Sequence, residues 1–187
     1  MKIEIVSYDP KWPAEFEGIG KQIKVAVGDA ALTIHHIPST SVPGLAAKDI
    51  IDVQMGVVDF SLAWKEGIEA LGFEYREYLR DHCPPGTELS PEQLEKRFFK
   101  MEGRAINFHI RILGRFNYRY ALLFRDYLRT QPRAADAYGE VKKNMARHFA
   151  DDPNAYYSFK DPVCDCVMSG AVEWARATNR NPAPSDA

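Results

Sequence analysis

Hydrophobic and polar residues alternate most regularly in the stretch "IIDVQMGVV", residues 50–58. One side of this pattern is apolar and consists of Ile51, Val53, Met55 and Val57. Successive side chains of a strand point to opposite faces of a sheet, so the pattern predicts a β-strand with one buried face. The opposite face carries Asp52 and Gln54. A carboxylate in such an apolar strand is costly unless a donor or cation satisfies it, which makes Asp52 a candidate functional residue.

The same two-residue period predicts further strands. The stretch "LTIHHI" at residues 32–37 is β-branched and apolar, and "RFFKMEGRAINFHIRI" at 97–112 is typical of a hairpin that turns near Gly103. The second strand of this hairpin has a polar face that consists of Asn107, His109 and Arg111. If this strand shares a sheet with residues 50–58, its polar face lies beside Asp52 and Gln54.

Apolar residues recur at helical spacing elsewhere in the chain. This spacing predicts helices over residues 10–29, 62–71, about 117–130, about 132–149 and about 154–177. The predicted fold class is therefore α+β: a small mixed β-sheet flanked by helices, with a helical C-terminal third. We expect one domain over residues 1–178, its sheet portion ending near residue 114 and its helical portion following, and a flexible tail over 179–187.

The loop between the first two predicted strands is unusually polar. It contains three adjacent hydroxyl side chains, Ser39, Thr40 and Ser41, and Lys48 lies closer to its end. Hydroxyls and free backbone N–H groups can hold a phosphate, particularly if a helical turn begins at 42–44. The alternative is a serine/threonine turn that caps the next element.

The composition is not that of a membrane-spanning protein or of a small protein stabilised by disulfides. The chain has 187 residues, of which 45% are hydrophobic and 27% charged, as in an ordinary globular domain. No apolar run is long enough to span a membrane, and no signal peptide is visible, so we expect a cytoplasmic location. Three cysteines do not form a disulfide framework, and we interpret them as reduced thiols.

The distribution of charge is more informative than the net charge of −2. Residues 1–95 contain 8 basic and 16 acidic side chains, whereas residues 96–147 contain 13 basic and 4 acidic ones. The basic stretch predicts a wall that faces an anion. A long nucleic acid is a poor candidate because the chain as a whole is not basic.

Three basic residues are candidates for binding an anion. Arg119 and Arg125 lie within the basic stretch 96–147, and Lys160 follows it. Arg125 follows the apolar run "ALLF", so we expect it to point inward. The alternative is that the two arginines lie on an exposed face of a helix and form ion pairs there.

Three segments together resemble the GrpB family: "IPSTSVPGLAAKDIIDVQMGV", "NFHIR" and "YALLFRDYLRTQP" followed by "AYGEVKK". The resemblance implies a nucleotidyltransferase-like fold, found in some bacteria fused to dephospho-CoA kinase. It also implies that Ser39 contacts the phosphates of a nucleotide and that Asp52 is the first acid of a site for divalent metal, with Mg²⁺ as the expected ion. Three positions depart from that pattern, namely Pro38 in place of a glycine, Gln54 in place of the second acid and His109 in place of a later acid.

The predicted site follows from these observations. Asp52 and His109 are the candidate catalytic residues, and Asp52 is also the candidate metal ligand. The candidate phosphate- or nucleotide-binding residues are Ser39, Thr40, Ser41, Lys48, Gln54, Arg111, Arg119, Arg125 and Lys160.

The sequence leaves three functions open. The first is a domain that binds a small anionic ligand, a nucleotide or phosphoester, at a degenerate metal site without catalysis. The second is an active Mg²⁺-dependent nucleotidyltransferase that acts on a small molecule or protein. The third is an accessory module for a protein partner, linked to coenzyme A metabolism. No membrane partner is expected.

Overall fold

The computed structural model describes residues 2–60, 64–76, 80–180 and 185–187. Two short 3₁₀ turns, Gly28–Ala30 and Pro91–Gln93, accompany the regular elements of this part of the chain. In chain order those elements are α1 (Trp12–Val27), β1 (Thr33–Ile37), β2 (Ile51–Val57), α2 (Lys65–Ala70), β3 (Glu74–Arg76), β4 (Arg97–Met101), β5 (Ile106–Ile112), α3 (Phe116–Thr130), α4 (Pro132–Phe149) and α5 (Pro153–Thr178).

The strands form one mixed sheet in the order β1-β2-β5-β4-β3. The central pair, β2 and β5, is parallel, and the other neighbouring pairs are antiparallel. The register places Asp52 beside Asn107 and Gln54 beside His109. The polar positions of the two predicted strands are therefore neighbours, and the α+β class with a helix-flanked mixed sheet is confirmed.

The two faces of the sheet have different surroundings. Alternate apolar residues of β2 and β5 pack with α1 and α2 in the main hydrophobic core, which includes Trp12, Phe16, Ile51, Val53, Met55, Phe108 and Ile110. The opposite, polar face is covered in part by α3. The adjacent His35 and His36 point to opposite faces of the sheet. The ring of His36 stacks on Phe16 of α1, with 4.6 Å between the ring centres, whereas His35 Nε2 lies 3.2 Å from the Tyr118 hydroxyl on the other face.

The three C-terminal helices pack on one another and on the loop between β1 and β2. Val42 and Leu45 from that loop join Phe124, Tyr138 and Met168 in a second apolar cluster. This packing holds the loop against the helices and leaves a space between the polar face of the sheet and the helical third.

Most predicted elements agree with the observed ones, including the hairpin of β4 and β5 and the three long helices. Two predicted elements fall partly outside the described residues: the helix over 62–71, which includes residues 62 and 63, and a strand over 73–79, which the sequence also predicts and which includes residues 77–79. No helical turn begins at 42–44, where one would favour phosphate binding by the loop. Leu45 N donates to the Val42 carbonyl at 3.1 Å, and Gly44 has a φ of +80°, as in a type II turn with Pro43 before the glycine.

Within the segment 179–187, expected as a flexible tail, the structure describes residues 185–187 next to the sheet. They lie along the free edge of β1, where Asp186 N donates to the Ile34 carbonyl at 2.9 Å. The Asp186 carboxylate in turn accepts from His36 N at 3.0 Å. The end of the chain is thus tied to the sheet by backbone and side-chain hydrogen bonds. Among the described residues, no helix is long and apolar enough to cross a membrane.

Candidate anion-binding site

A cavity of about 580 Å³ lies between the polar face of the sheet and the helical third. That volume suits a small organic ligand. Its lining includes seven basic side chains, Lys48, Arg80, Lys96, Lys100, Arg111, Lys142 and Lys160, but only three carboxylates, Asp52, Asp81 and Asp161. The cavity therefore has an excess of positive charge, which favours an anionic ligand.

The floor of the cavity is formed by side chains of the parallel pair β2 and β5. Asn107 Nδ2 donates to Asp52 Oδ1 at 2.8 Å, and His109 Nε2 lies 3.5 Å from the same oxygen. Burial and the nearby Lys96 and Arg111 lower the pKa of His109 to about 4, so the ring is neutral at neutral pH. Burial opposes the charge on Asp52, but contacts with His109 and Asn107 outweigh it, and its pKa is lowered.

One wall beside the floor contains a charge cluster that is internally paired. Asp81 accepts two hydrogen bonds from the Arg111 guanidinium, at 2.9 and 3.0 Å, and one from Lys96 Nζ at 2.7 Å. Arg111 Nη1 also donates to Gln54 Oε1 at 2.5 Å. Burial raises the pKa of Asp81, but Arg111 and Lys96 outweigh this and hold it far below its usual range. We call Asp81, Lys96 and Arg111 the paired cluster.

The opposite end of the cavity contains three lysines from different elements: Lys48 before β2, Lys142 on α4 and Lys160 on α5. We call them the lysine cluster. Lys48 Nζ donates to the Tyr157 hydroxyl at 2.6 Å, and both Lys48 and Lys160 lie over the Tyr157 ring, at 4.8 and 5.7 Å from its centroid. Lys160 pairs with Asp161 at 2.8 Å. No other carboxylate in the described part of the chain pairs with this cluster.

Lys142 is the most unusual member of the lysine cluster because it is 97% buried and has no counterion among the described residues. Its Nζ donates to Ser39 Oγ at 3.2 Å and lies 4.6 Å from the centre of the Tyr138 ring. Burial lowers the pKa of Lys142 to about 7, and repulsion from Lys160 and Lys48 adds to this effect. An anion in the cavity would supply the charge partner that the described residues do not.

Seven of the eleven predicted site residues line this cavity: Ser39, Thr40, Lys48, Asp52, His109, Arg111 and Lys160. The other four, Ser41, Gln54, Arg119 and Arg125, are not part of this lining. Ser41 Oγ donates to the Pro38 carbonyl, three residues earlier, at 2.7 Å. Gln54 lies beneath the Arg111 guanidinium. Arg119 is exposed on the outer side of α3.

Arg125 points inward as expected, but it does not reach the cavity. It is fully buried, with Nε 2.9 Å from Asp126 Oδ1 and Nη1 2.5 Å from Asp186 Oδ2. Nη1 also lies 3.2 Å from the His36 carbonyl. The anions that this arginine binds are thus carboxylates of the chain itself. It joins α3 to β1 and to the end of the chain.

Lys142 is one of the charged cavity-lining residues that the sequence did not predict, together with Arg80, Asp81, Lys96, Lys100 and Asp161, but a signal for it exists. The buried side of α4 consists of Ala135, Tyr138, Gly139, Lys142, Met145 and Ala146. These positions follow the three- and four-residue spacing of an apolar helical stripe. A lysine in the centre of such a stripe needs a special environment, whereas the adjacent Lys143 is exposed and pairs with Glu140 at 2.7 Å.

The residues present do not fit a site for two divalent metals. Among the described residues, no three His, Cys, Asp or Glu side chains form a group that could hold a metal ion. Asp52 lies beside a neutral amide and a histidine, and the oxygen of Gln54 is occupied by a guanidinium. Mg²⁺ prefers several carboxylate or phosphate oxygens, so Asp52 is underequipped as a metal ligand.

A sequence profile of the GrpB protein family matches residues 2–169. The chain belongs to the GrpB family. A crystal structure of the conserved protein GrpB from Enterococcus faecalis superposes with a TM-score of 0.74 at 29% identity, covering 91% of this chain and 98% of that one. The predicted resemblance to the GrpB family is therefore confirmed, together with the α+β fold class.

Relatives of the chain fall into two length classes. A UPF0157 protein of Halalkalibacterium halodurans is 33% identical over 90% of this chain and 82% of its own length. The dephospho-CoA kinase of Mycolicibacterium paratuberculosis is 32% identical over 96% of this chain but only 48% of its own length. The UPF0157 protein YqkA of Bacillus subtilis is 32% identical, with 95% and 50% covered. The chain thus spans about half the length of the latter two relatives.

Proposed function

We propose that the cavity binds the phosphate group of a small phosphoester, such as a nucleotide, and does so without a divalent metal. The observation that carries this proposal is the buried ammonium of Lys142, which has no carboxylate partner in the described part of the chain and lies 3.2 Å from Ser39 Oγ. A buried charge is costly unless it is paired. A bound phosphate would pair it and would also contact Lys48 and Lys160.

The same arrangement supports a relation to the nucleotidyltransferase superfamily with a degenerate metal site. Ser39 follows β1 and Asp52 lies on β2, as the family resemblance implies, but lysines supply the positive charge that metals supply elsewhere. We therefore favour the binding function over metal-dependent transfer. The turn at 42–45 offers no helix N-terminus, so the phosphate contacts come from side chains.

The names of the longer relatives suggest which phosphoesters to test first. Several proteins that contain a region similar to this chain are dephospho-CoA kinases. Dephospho-CoA and coenzyme A therefore belong in a panel with nucleoside mono-, di- and triphosphates. The two differ by one terminal phosphate, so the comparison also tests whether the lysine cluster prefers a phosphomonoester.

The experiment is a thermal-shift titration of the whole chain against this panel, once with EDTA and once with Mg²⁺. A ligand at a hundred times its dissociation constant adds about 2.7 kcal/mol to the free energy of unfolding, which such a titration detects. We expect stabilisation by at least one phosphoester in EDTA. Stabilisation that requires Mg²⁺, with pyrophosphate release, would instead support a transferase.

Lys142→Met and Lys143→Met form the matched pair of variants. Loss of a hydrogen bond to a charged group costs about 1.5–3 kcal/mol, so Lys142→Met is expected to weaken phosphoester binding by roughly tenfold to a hundredfold. The exposed Lys143→Met should bind as the unchanged protein does. Equal affinities in the two variants would place the phosphate elsewhere and overturn the proposal.

A further inference from the structure

Asp52 is the one carboxylate of the cavity lining that no Lys or Arg side chain pairs with, among the residues the structure describes. Asp81 is bound by Lys96 and Arg111, and Asp161 by Lys160. The nearest basic group to Asp52 is His109, at 3.5 Å. No lysine or arginine side chain of the described residues therefore lies within ion-pair distance of Asp52.

The two oxygens of Asp52 differ in their surroundings. Oδ1 accepts a hydrogen bond from Asn107 Nδ2 at 2.8 Å. In the described part of the chain no donor reaches Oδ2, and the side chain retains 21% of its exposure and lines the cavity. A carboxylate oxygen in this position is available to a donor that enters the cavity.

Asp52 and the lysine cluster line the same cavity. Asp52 lies on the floor of the cavity, whereas Lys48, Lys142 and Lys160 lie at one end of it. A phosphate is attracted to the lysines and repelled by Asp52. The cavity thus has an anion-binding end and an acceptor end, and a ligand that satisfies both has a fixed orientation.

We propose, on the basis of the phosphate-binding function above, that Asp52 accepts a hydrogen bond from a hydroxyl or amine group of the ligand. The ligand class is then a phosphate ester that carries a hydrogen-bond donor near the phosphate, such as a phosphorylated sugar or an aminoalkyl phosphate. In this role Asp52 is a specificity residue. The neutral His109 and the Asn107 amide hold its carboxylate in place.

The test compares the affinities of three probes, inorganic phosphate, ribose 5-phosphate and O-phosphoethanolamine, by equilibrium titration of the whole chain in EDTA. The unchanged protein should prefer ribose 5-phosphate, O-phosphoethanolamine or both over inorganic phosphate. The two organic probes separate a hydroxyl donor from an amine donor. In Asp52→Asn, the preference over inorganic phosphate should fall about tenfold, because a hydrogen bond to a charged group is lost.

Inorganic phosphate is the internal control of this experiment. Its affinity in Asp52→Asn should be unchanged or higher, since the substitution removes a repelling charge. Asp151→Asn, at an exposed position outside the cavity, is the matched variant and should keep the preference. Asp52→Ser, which also removes the charge, serves if Asp52→Asn does not fold.

The outcomes separate this inference from the function on which it rests. If the unchanged protein binds none of the phosphate probes, the phosphate-binding function fails. If it binds them without preference, or if the Asp52 substitutions weaken all three probes equally, phosphate binding stands and the acceptor role of Asp52 is wrong.

Discussion

The paired cluster and the lysine cluster line the same cavity but differ in what neutralises them. Lys96 and Arg111 share the carboxylate of Asp81, so their charges are compensated within the chain. Lys48 and Lys142 have no carboxylate partner in the described part of the chain. Compensated buried charges hold elements of the fold together, whereas an uncompensated buried charge is stabilised only when a ligand arrives. On this difference rests our proposal that the paired cluster has a structural role and the lysine cluster a binding role.

Asp81→Asn is the substitution with the largest expected effect on stability, and it removes the carboxylate of the paired cluster. It leaves Arg111 and Lys96 in the protein interior without a counterion, and such losses cost about 3–5 kcal/mol. The free energy of unfolding from urea titration measures the effect. A loss below about 1 kcal/mol would show that water, not Asp81, solvates these cations.

Arg125→Ala tests whether a residue outside both clusters has a structural role only. The substitution leaves Asp126 and Asp186 without their shared guanidinium and removes a fully buried side chain. We expect the free energy of unfolding to fall by about 3 kcal/mol. Phosphoester affinity, measured well below the melting temperature, should stay the same. A selective loss of affinity with little loss of stability would restore Arg125 to the binding site.

Lys142→Met, unlike the two preceding substitutions, should raise the free energy of unfolding, by about 1–2 kcal/mol. The reason is that it removes a buried ammonium that has no carboxylate partner among the described residues. The pKa of Lys142 is about 7 in the folded protein, whereas an unperturbed lysine side chain has a pKa of 10.5. Between these values the unfolded chain holds the proton and the folded chain does not, so stability rises with pH.

The slope of that rise is a second readout of Lys142. It should reach up to about 1.4 kcal/mol per pH unit above pH 7 and flatten below it. Urea titrations across this range should show the rise in Lys143→Met and lose it in Lys142→Met. An identical pH profile in the two variants would mean that Lys142 is not buried as described.

Arg119→Ala has the smallest expected effect and serves as the baseline. The side chain is exposed on α3, so both the free energy of unfolding and phosphoester affinity should change little, within about 0.5 kcal/mol. A clear loss of affinity would mean that the anion site extends over the outer side of α3.

Elements and strand faces were predictable because they depend on local periodicity. The alternation in residues 50–58 placed Asp52 on the polar face, and the hairpin pattern placed His109 on the neighbouring strand. Both signals lie within single segments of the chain, so no knowledge of long-range packing was needed to read them.

The set of basic residues that face the cavity was less predictable, because it depends on long-range packing. Arg125 follows an apolar run as an inward residue should, but its partner Asp186 is 61 positions away. Ser39 and Lys142 are 103 positions apart. Nothing local to the Ser39 loop indicates that α4 delivers a lysine to it, although the apolar stripe of α4 identifies Lys142 as unusual.

The most direct test of the central claim is a calorimetric titration with a phosphoester in EDTA, in two buffers of different ionisation enthalpy, at about one pH unit above the Lys142 pKa of about 7. We predict metal-independent binding with uptake of up to about one proton per ligand, because the phosphate favours the charged form of Lys142. The uptake should persist in Lys143→Met, and Lys142→Met should bind far more weakly. Binding that appears only with Mg²⁺, or equal binding and proton uptake in the two variants, would contradict the account.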